Sequence, residues 1–207
     1  MSRFNGVFLL LLLSLSPAWA APAANPLQGA NPLQGAGSPS ARLHLLNTKD
    51  RLLMRHVHGF VWGAHHAPAK AIVFFDPDCI WCHRFFEQVR KGVGAGRARY
   101  LMIPVAILKK SSETRALEIL ASRHPQQAYL QRETHFNLQG ATPMPGATPM
   151  PGVADLKKVL AINTAILADL EGGNPATPTF VMRTARGWAL HEGFVSIKDH
   201  HGKNAAR

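Results

Sequence analysis

Apolar residues are grouped along the chain in a way that separates strands from helices. In KAIVFF, residues 70–75, every residue after the first is apolar and several are branched, which marks a strand covered on both faces. ARYLMIPVAIL, residues 98–108, predicts a second such strand, and GFVW at 59–62 a shorter one ahead of both. Between the two long runs lies CIWCHRFFEQVRKG, where Phe85, Phe86 and Val89 share a helical face and Gly92 predicts the stop. SSETRALEILASRH, residues 111–124, opens on a Ser/Thr-rich cap and carries Ala116, Leu117, Ile119 and Leu120 at helical spacing. A further helix is expected over 125–134. VADLKKVLAINTAILADLEG, with Leu156, Val159, Leu160, Ile166, Leu167 and Leu170 in phase, predicts a long one ending at Gly172 and Gly173. Strands at 179–183 and 188–195 close the pattern around an Ala185-Arg186-Gly187 turn. The order is strand, helix, strand, helices and a β-hairpin, an α/β arrangement.

The flanks are of a different kind. Residues 1–20 combine an early Arg3, an apolar run and small residues Ala18 and Ala20, the pattern of a signal peptide cut after Ala20. That run is too short to cross a bilayer, so an exported, periplasmic protein is expected. Residues 21–41 contain NPLQGANPLQGA, and 141–152 contain ATPMPGATPMPG; two copies of a hexapeptide make a linker and no solenoid. RLHLLNTKDRLLMRHV predicts a short amphipathic helix within 42–58 through Leu45, Leu46, Leu52, Leu53 and Val57. The net charge of +11 is scattered, with Lys-Lys pairs at 109–110 and 157–158 and no interleaved aromatics. It reads as a solvated basic surface, and no nucleic-acid partner is expected.

The chain has two cysteines, Cys79 and Cys82, and they stand where the first buried strand gives way to a helix. A loop of two residues between cysteines is too small to restrain the unfolded chain much, so a structural staple explains little. Unpaired N–H groups and the positive dipole end at a helix N-terminus favour a thiolate at Cys79, and Cys82 one turn on is placed to resolve a mixed disulfide. CIWCH also matches the haem c attachment pattern, with His83 as axial ligand and Met144 or Met150 as the sixth. Apolar strands around the motif weigh against haem, and no second Cys/His pair is spaced for zinc. No cofactor or metal is expected. Asp76 and His83 are candidates for tuning the thiols, Asp78 for capping the helix, and Trp81 for an exposed contact with substrate.

A Thr-Pro step, Thr177-Pro178, opens the hairpin, where a cis bond would turn the chain sharply. A CxxC at a strand-helix junction followed by helices and this step resembles the thioredoxin fold. More narrowly, GAHHAPAKAIVFFDPDCIWCHRFF, LMIPVAILKKSSETRALEILASRHP and ATPTFVMRTARG resemble the catalytic domain of the periplasmic disulfide isomerases DsbC and DsbG, closer to DsbG, over about residues 60–195. The resemblance implies a catalytic domain over 59–207 with a helical insertion at about 111–172. It implies Cys79 as nucleophile, Cys82 as resolving thiol, and Thr177 and Pro178 as the place where substrate backbone docks. It also implies thiol-disulfide exchange with exported cysteine-containing proteins and a membrane thiol-disulfide reductase or oxidase as redox partner. The family's N-terminal dimerisation domain has no counterpart ahead of residue 59, and residues 42–58 read as a linker-helix remnant. A monomer is therefore expected, its leucines at 45, 46, 52 and 53 folded back onto the domain.

Overall fold

The computed structural model describes residues 43–137 and 152–194. The expected signal peptide, the first duplicated stretch, the second as far as Pro151, and Val195 lie outside the described residues. Contacts divide the chain into 1–36 and 37–207, and every described residue belongs to the second unit.

Among the described residues six strands form one mixed sheet in the order β1 (Leu43–Leu45), β6 (Gly187–Glu192), β5 (Thr179–Thr184), β3 (Ala69–Phe75), β4 (Arg99–Pro104), β2 (Phe60–Trp62). β3 and β4 run parallel, and the other neighbours are antiparallel. A parallel pair needs a long crossover, and α2 (Ile80–Gly94) supplies it. The helix runs two residues past the expected stop at Gly92, because Gly92 keeps helical geometry and the cap forms at Ala95.

The uninterrupted apolar run at 70–75 is explained by two-sided burial. Val73 and Phe75 face a cluster with Phe60, Trp62, Phe85, Phe86 and Tyr129. Phe74 faces the other way, toward Ile103, Val105, Ile166, Leu167, Val181 and Leu190. Alternate residues of one strand thus feed two cores. The first is covered by α2 and α4 (Pro125–Thr134), the second by α5 (Val153–Leu170). α3 (Lys110–Ala121) packs against both α4 and α5 and gives Ile119 to the first core. Among the described residues no helix is long and apolar enough to cross a membrane.

The helix expected within 42–58 breaks into three pieces. Leu43–Leu45 pairs with β6 as an edge strand, α1 spans Thr48–Leu53, and Met54–His56 form a 3-10 turn. Asn47 is the reason: its side chain accepts from Asp50 N–H while Asp50 accepts from Asn47 N–H, a reciprocal cap that starts the helix late. Leu46 is buried and Leu53 partly so against the second core, as expected, whereas Leu45 and Leu52 are about half exposed. Gly59 lets β2 approach β4, since a Cβ there would stand 2.0 Å from the Met102 carbonyl oxygen.

Candidate active site

β3 ends at Phe75, and Asp76 turns the chain. One of its carboxylate oxygens accepts from Asp78 N–H at 2.8 Å; the other accepts from Ile107 N–H at 2.8 Å and Leu108 N–H at 3.0 Å. Asp76 thereby ties the strand's exit to the chain beyond β4. Burial pushes its carboxyl above the ordinary range, and the N–H groups of Ile107 and Leu108 with Ser112 and Arg115 pull the other way.

Asp78, expected to cap α2, has another task. It forms a buried ion pair with Arg115 and accepts from Ser111 Oγ at 2.6 Å and Ser112 Oγ at 3.2 Å. The helix cap is Cys79 itself, whose Sγ accepts from Cys82 N–H at 3.4 Å. The thiol occupies the place where helices commonly put a serine or aspartate oxygen.

Both cysteines are free and buried, Cys79 at 4% and Cys82 at 2% exposure, so exposure hardly separates them. Acidity does. The Cys79 thiol is held below its ordinary 9.0, chiefly by the hydrogen bond from Cys82 and, against the cost of burial, by Thr177 and the N–H groups of Cys82 and Trp81. Cys82 moves far the other way, through burial first and then its bond to Cys79 and the negative charge that Cys79 would carry. One thiol is prepared to be an anion, and its neighbour to remain protonated.

Thr177 and Pro178 lie against this pair. The Thr177–Pro178 bond is cis, and the Cys79 thiol donates to Thr177 O at 3.2 Å. Thr177 Oγ1 is buried and, among the described residues, meets no acceptor at full hydrogen-bond geometry, which leaves its hydroxyl to favour the ionised Cys79. Trp81 is half-buried, where sequence suggested exposure: its ring packs on Phe194 at 5.7 Å, and the Arg84 guanidinium sits 4.3 Å above it.

Of the two candidates for tuning the thiols, His83 and Asp76, neither is among the groups that set the acidity of Cys79, while the Asp76 backbone bears on Cys82, opposing the effect of its burial. His83 Nδ1 is 2.9 Å from Glu133 Oε2, and its ring stacks on Phe136 at 4.4 Å. Glu133 is 2% exposed, and burial raises its carboxyl while His83 and Arg132 oppose that. Its charge also helps keep Cys82 protonated. Sequence reading passed over Glu133 and Arg115, both charged positions on the inward faces of helices that otherwise look amphipathic. Among the described residues no three His, Cys, Asp or Glu side chains converge as a metal site would need.

No family model matches the chain. It is 32% identical over 125 residues to the thiol:disulfide interchange protein DsbG of Pseudomonas aeruginosa, covering 60% of this chain and 46% of that protein. To DsbG of Escherichia coli it is 29% identical over 129 residues, covering 62% and 50%. The chain thus spans about half the length of the curated relatives it matches. The crystal structure of the thiol-disulfide exchange protein α-DsbA2 from Wolbachia pipientis superposes with a TM-score of 0.50 at 15% identity, covering 76% of this chain and 97% of that one. The chain is DsbG-like in sequence over the matched stretch, and its fold is thioredoxin-like.

Proposed function

We propose that a DsbG-like protein with this site exchanges disulfides with exported cysteine-containing proteins in the periplasm, Cys79 attacking and Cys82 resolving. The observation that carries this reading is the opposite displacement of two neighbouring thiols beside the cis Thr177–Pro178 bond. The Cys79 thiolate attacks one sulfur of a substrate disulfide; a Cys79–substrate disulfide forms and the other substrate sulfur leaves as thiolate, taking a proton. Cys82 then loses its proton to water and attacks Cys79 Sγ. The second substrate sulfur departs, and two electrons have passed from the dithiol to the substrate. The reverse sequence oxidises a substrate dithiol, and a membrane thiol-disulfide reductase or oxidase resets the pair.

Substrate backbone docks at Thr177 and Pro178, and Trp81, between the two cysteines, touches substrate. The leader pattern at 1–20 supports export, and the relatives' name supports disulfide interchange. Docking of Leu46 and Leu53 into the second core supports a monomer, because those side chains are then unavailable to a second chain.

The test is trapping. Cys82→Ala incubated with a scrambled disulfide protein is expected to accumulate a mixed disulfide through Cys79, and Cys79→Ala to form none and to lose insulin reduction. Exchange that survives Cys79→Ala overturns the reading. Light scattering at micromolar concentration decides the oligomer, with a dimer refuting that part.

A further inference from the structure

Glu171 stands at the end of α5, and the mechanism above gives it no role. The chain turns back there through Gly172 and Gly173, at φ +68° and +92°, so the Glu171 side chain lies alongside the segment that follows. Its two carboxylate oxygens are both taken. Oε2 accepts from Ala176 N–H at 2.6 Å, and Oε1 accepts from the Thr179 hydroxyl at 2.5 Å. Ala176 and Thr179 are the residues on either side of the cis Thr177–Pro178 step, whose Thr177 carbonyl meets Cys79 Sγ.

We propose that Glu171 is a positioning residue for disulfide exchange, its carboxylate holding residues 176–179 so that the Thr177–Pro178 backbone is presented to substrate beside Cys79. The inference rests on Cys79 being the attacking thiol. A polypeptide substrate needs that backbone, whereas a small alkylating reagent needs only the thiolate. Position therefore separates the two reactions.

The local chemistry adds a pH signature. Burial, with Glu192 on β6 as the like charge bearing on it, pushes the Glu171 carboxyl up to about 7, and the bonds from Thr179 and Ala176 oppose this. Protonation turns one of its two accepting oxygens into a donor, so one of the two holds weakens below that pH. The clamp is complete above about 7 and partial beneath it.

The experiment compares, on the full chain, the rate of exchange with a short peptide disulfide and the rate of Cys79 alkylation by iodoacetamide. Their ratio cancels the thiolate fraction. In the native protein the ratio is expected to rise with pH through about 7. In Glu171→Gln, which keeps one acceptor, the ratio is expected to drop about threefold and lose its pH dependence; in Glu171→Ala it is expected to drop about tenfold. Thr179→Val removes one recipient while leaving Glu171 in place, and serves if the Glu171 variants do not fold; it too is expected to lower the ratio about threefold. An unchanged ratio, or equal loss of both rates, overturns the proposal. Exchange surviving Cys79→Ser would instead overturn the functional reading beneath it, so the two failures are distinguishable.

Discussion

The two sides of the sheet do different work. The side under α5 is aliphatic apart from Phe74: Leu46, Ile103, Val105, Ile166, Leu167, Leu170, Val181 and Leu190. The buried polar group within α5, Asn163, is fully used, accepting from His58 N–H and donating to the carbonyls of His58 and Pro104. The side under α2 and α4 is aromatic, holds both cysteines, and is bordered by three low-exposure ion pairs: Asp78 with Arg115, Glu118 with Arg132, and His83 with Glu133. Buried ion pairs are a weak route to stability, since desolvation offsets their attraction. Paired charge is concentrated on the side that holds the two cysteines, whereas the α5 side is aliphatic except at its end, where Glu171 reaches the hairpin.

This division can be broken from either side. The largest effect is expected from Cys79→Ser, which should abolish exchange in an insulin-reduction assay while leaving the melting curve almost unmoved. Native Cys79 should alkylate with a midpoint below pH 9.0, the ordinary thiol value. On the aliphatic side, Leu167→Ala removes a fully buried side chain and should cost about 3 kcal/mol by urea unfolding, with activity per folded molecule unchanged. Lost activity in the folded fraction would show that the two sides are not independent.

Asp76→Ala leaves three backbone N–H groups without their acceptor and should cost about 2–4 kcal/mol. Glu133→Gln sharpens the contrast instead. Burial raises the Glu133 carboxyl in the folded state, so its contribution is present at acid pH, below the unfolded value of 4.5, and is lost as pH rises through the folded value. The glutamine should flatten that part of the stability profile. It should also lower the pKa of Cys82, read by alkylation in a Cys79→Ser background. At the small end, Lys49→Ala breaks an exposed pair with Asp169 and should change stability by less than about 0.5 kcal/mol.

The central strand, α2, α4 and the hairpin are legible in the chain because each is written locally: a branched apolar run, phenylalanines in helical phase, a proline at a helix start. The cysteines and the Thr177-Pro178 step are legible for the same reason. What sequence reading misses depends on partners far along the chain. Asp78 looks like a cap until Arg115, on another helix, takes it. Leu43–Leu45 looks helical until β6, over 140 residues later, offers an edge. Ser111 and Ser112 signal a helix start correctly, yet their hydroxyls also turn to Asp78. Glu133 carries no local sign at all, since its meaning comes from His83 on α2.

Cys79 Sγ and Thr177 O touch across 98 residues of chain. Between them, among the described residues, lie β4 and four helices, α2, α3, α4 and α5. Closing so long a loop costs entropy that no local contact returns, which places this pairing among the last to form. A nascent chain therefore carries both sulfurs well before it has the Thr177–Pro178 segment that packs beside Cys79. Until the hairpin arrives the two sulfurs lack the backbone that lies beside them in the folded domain.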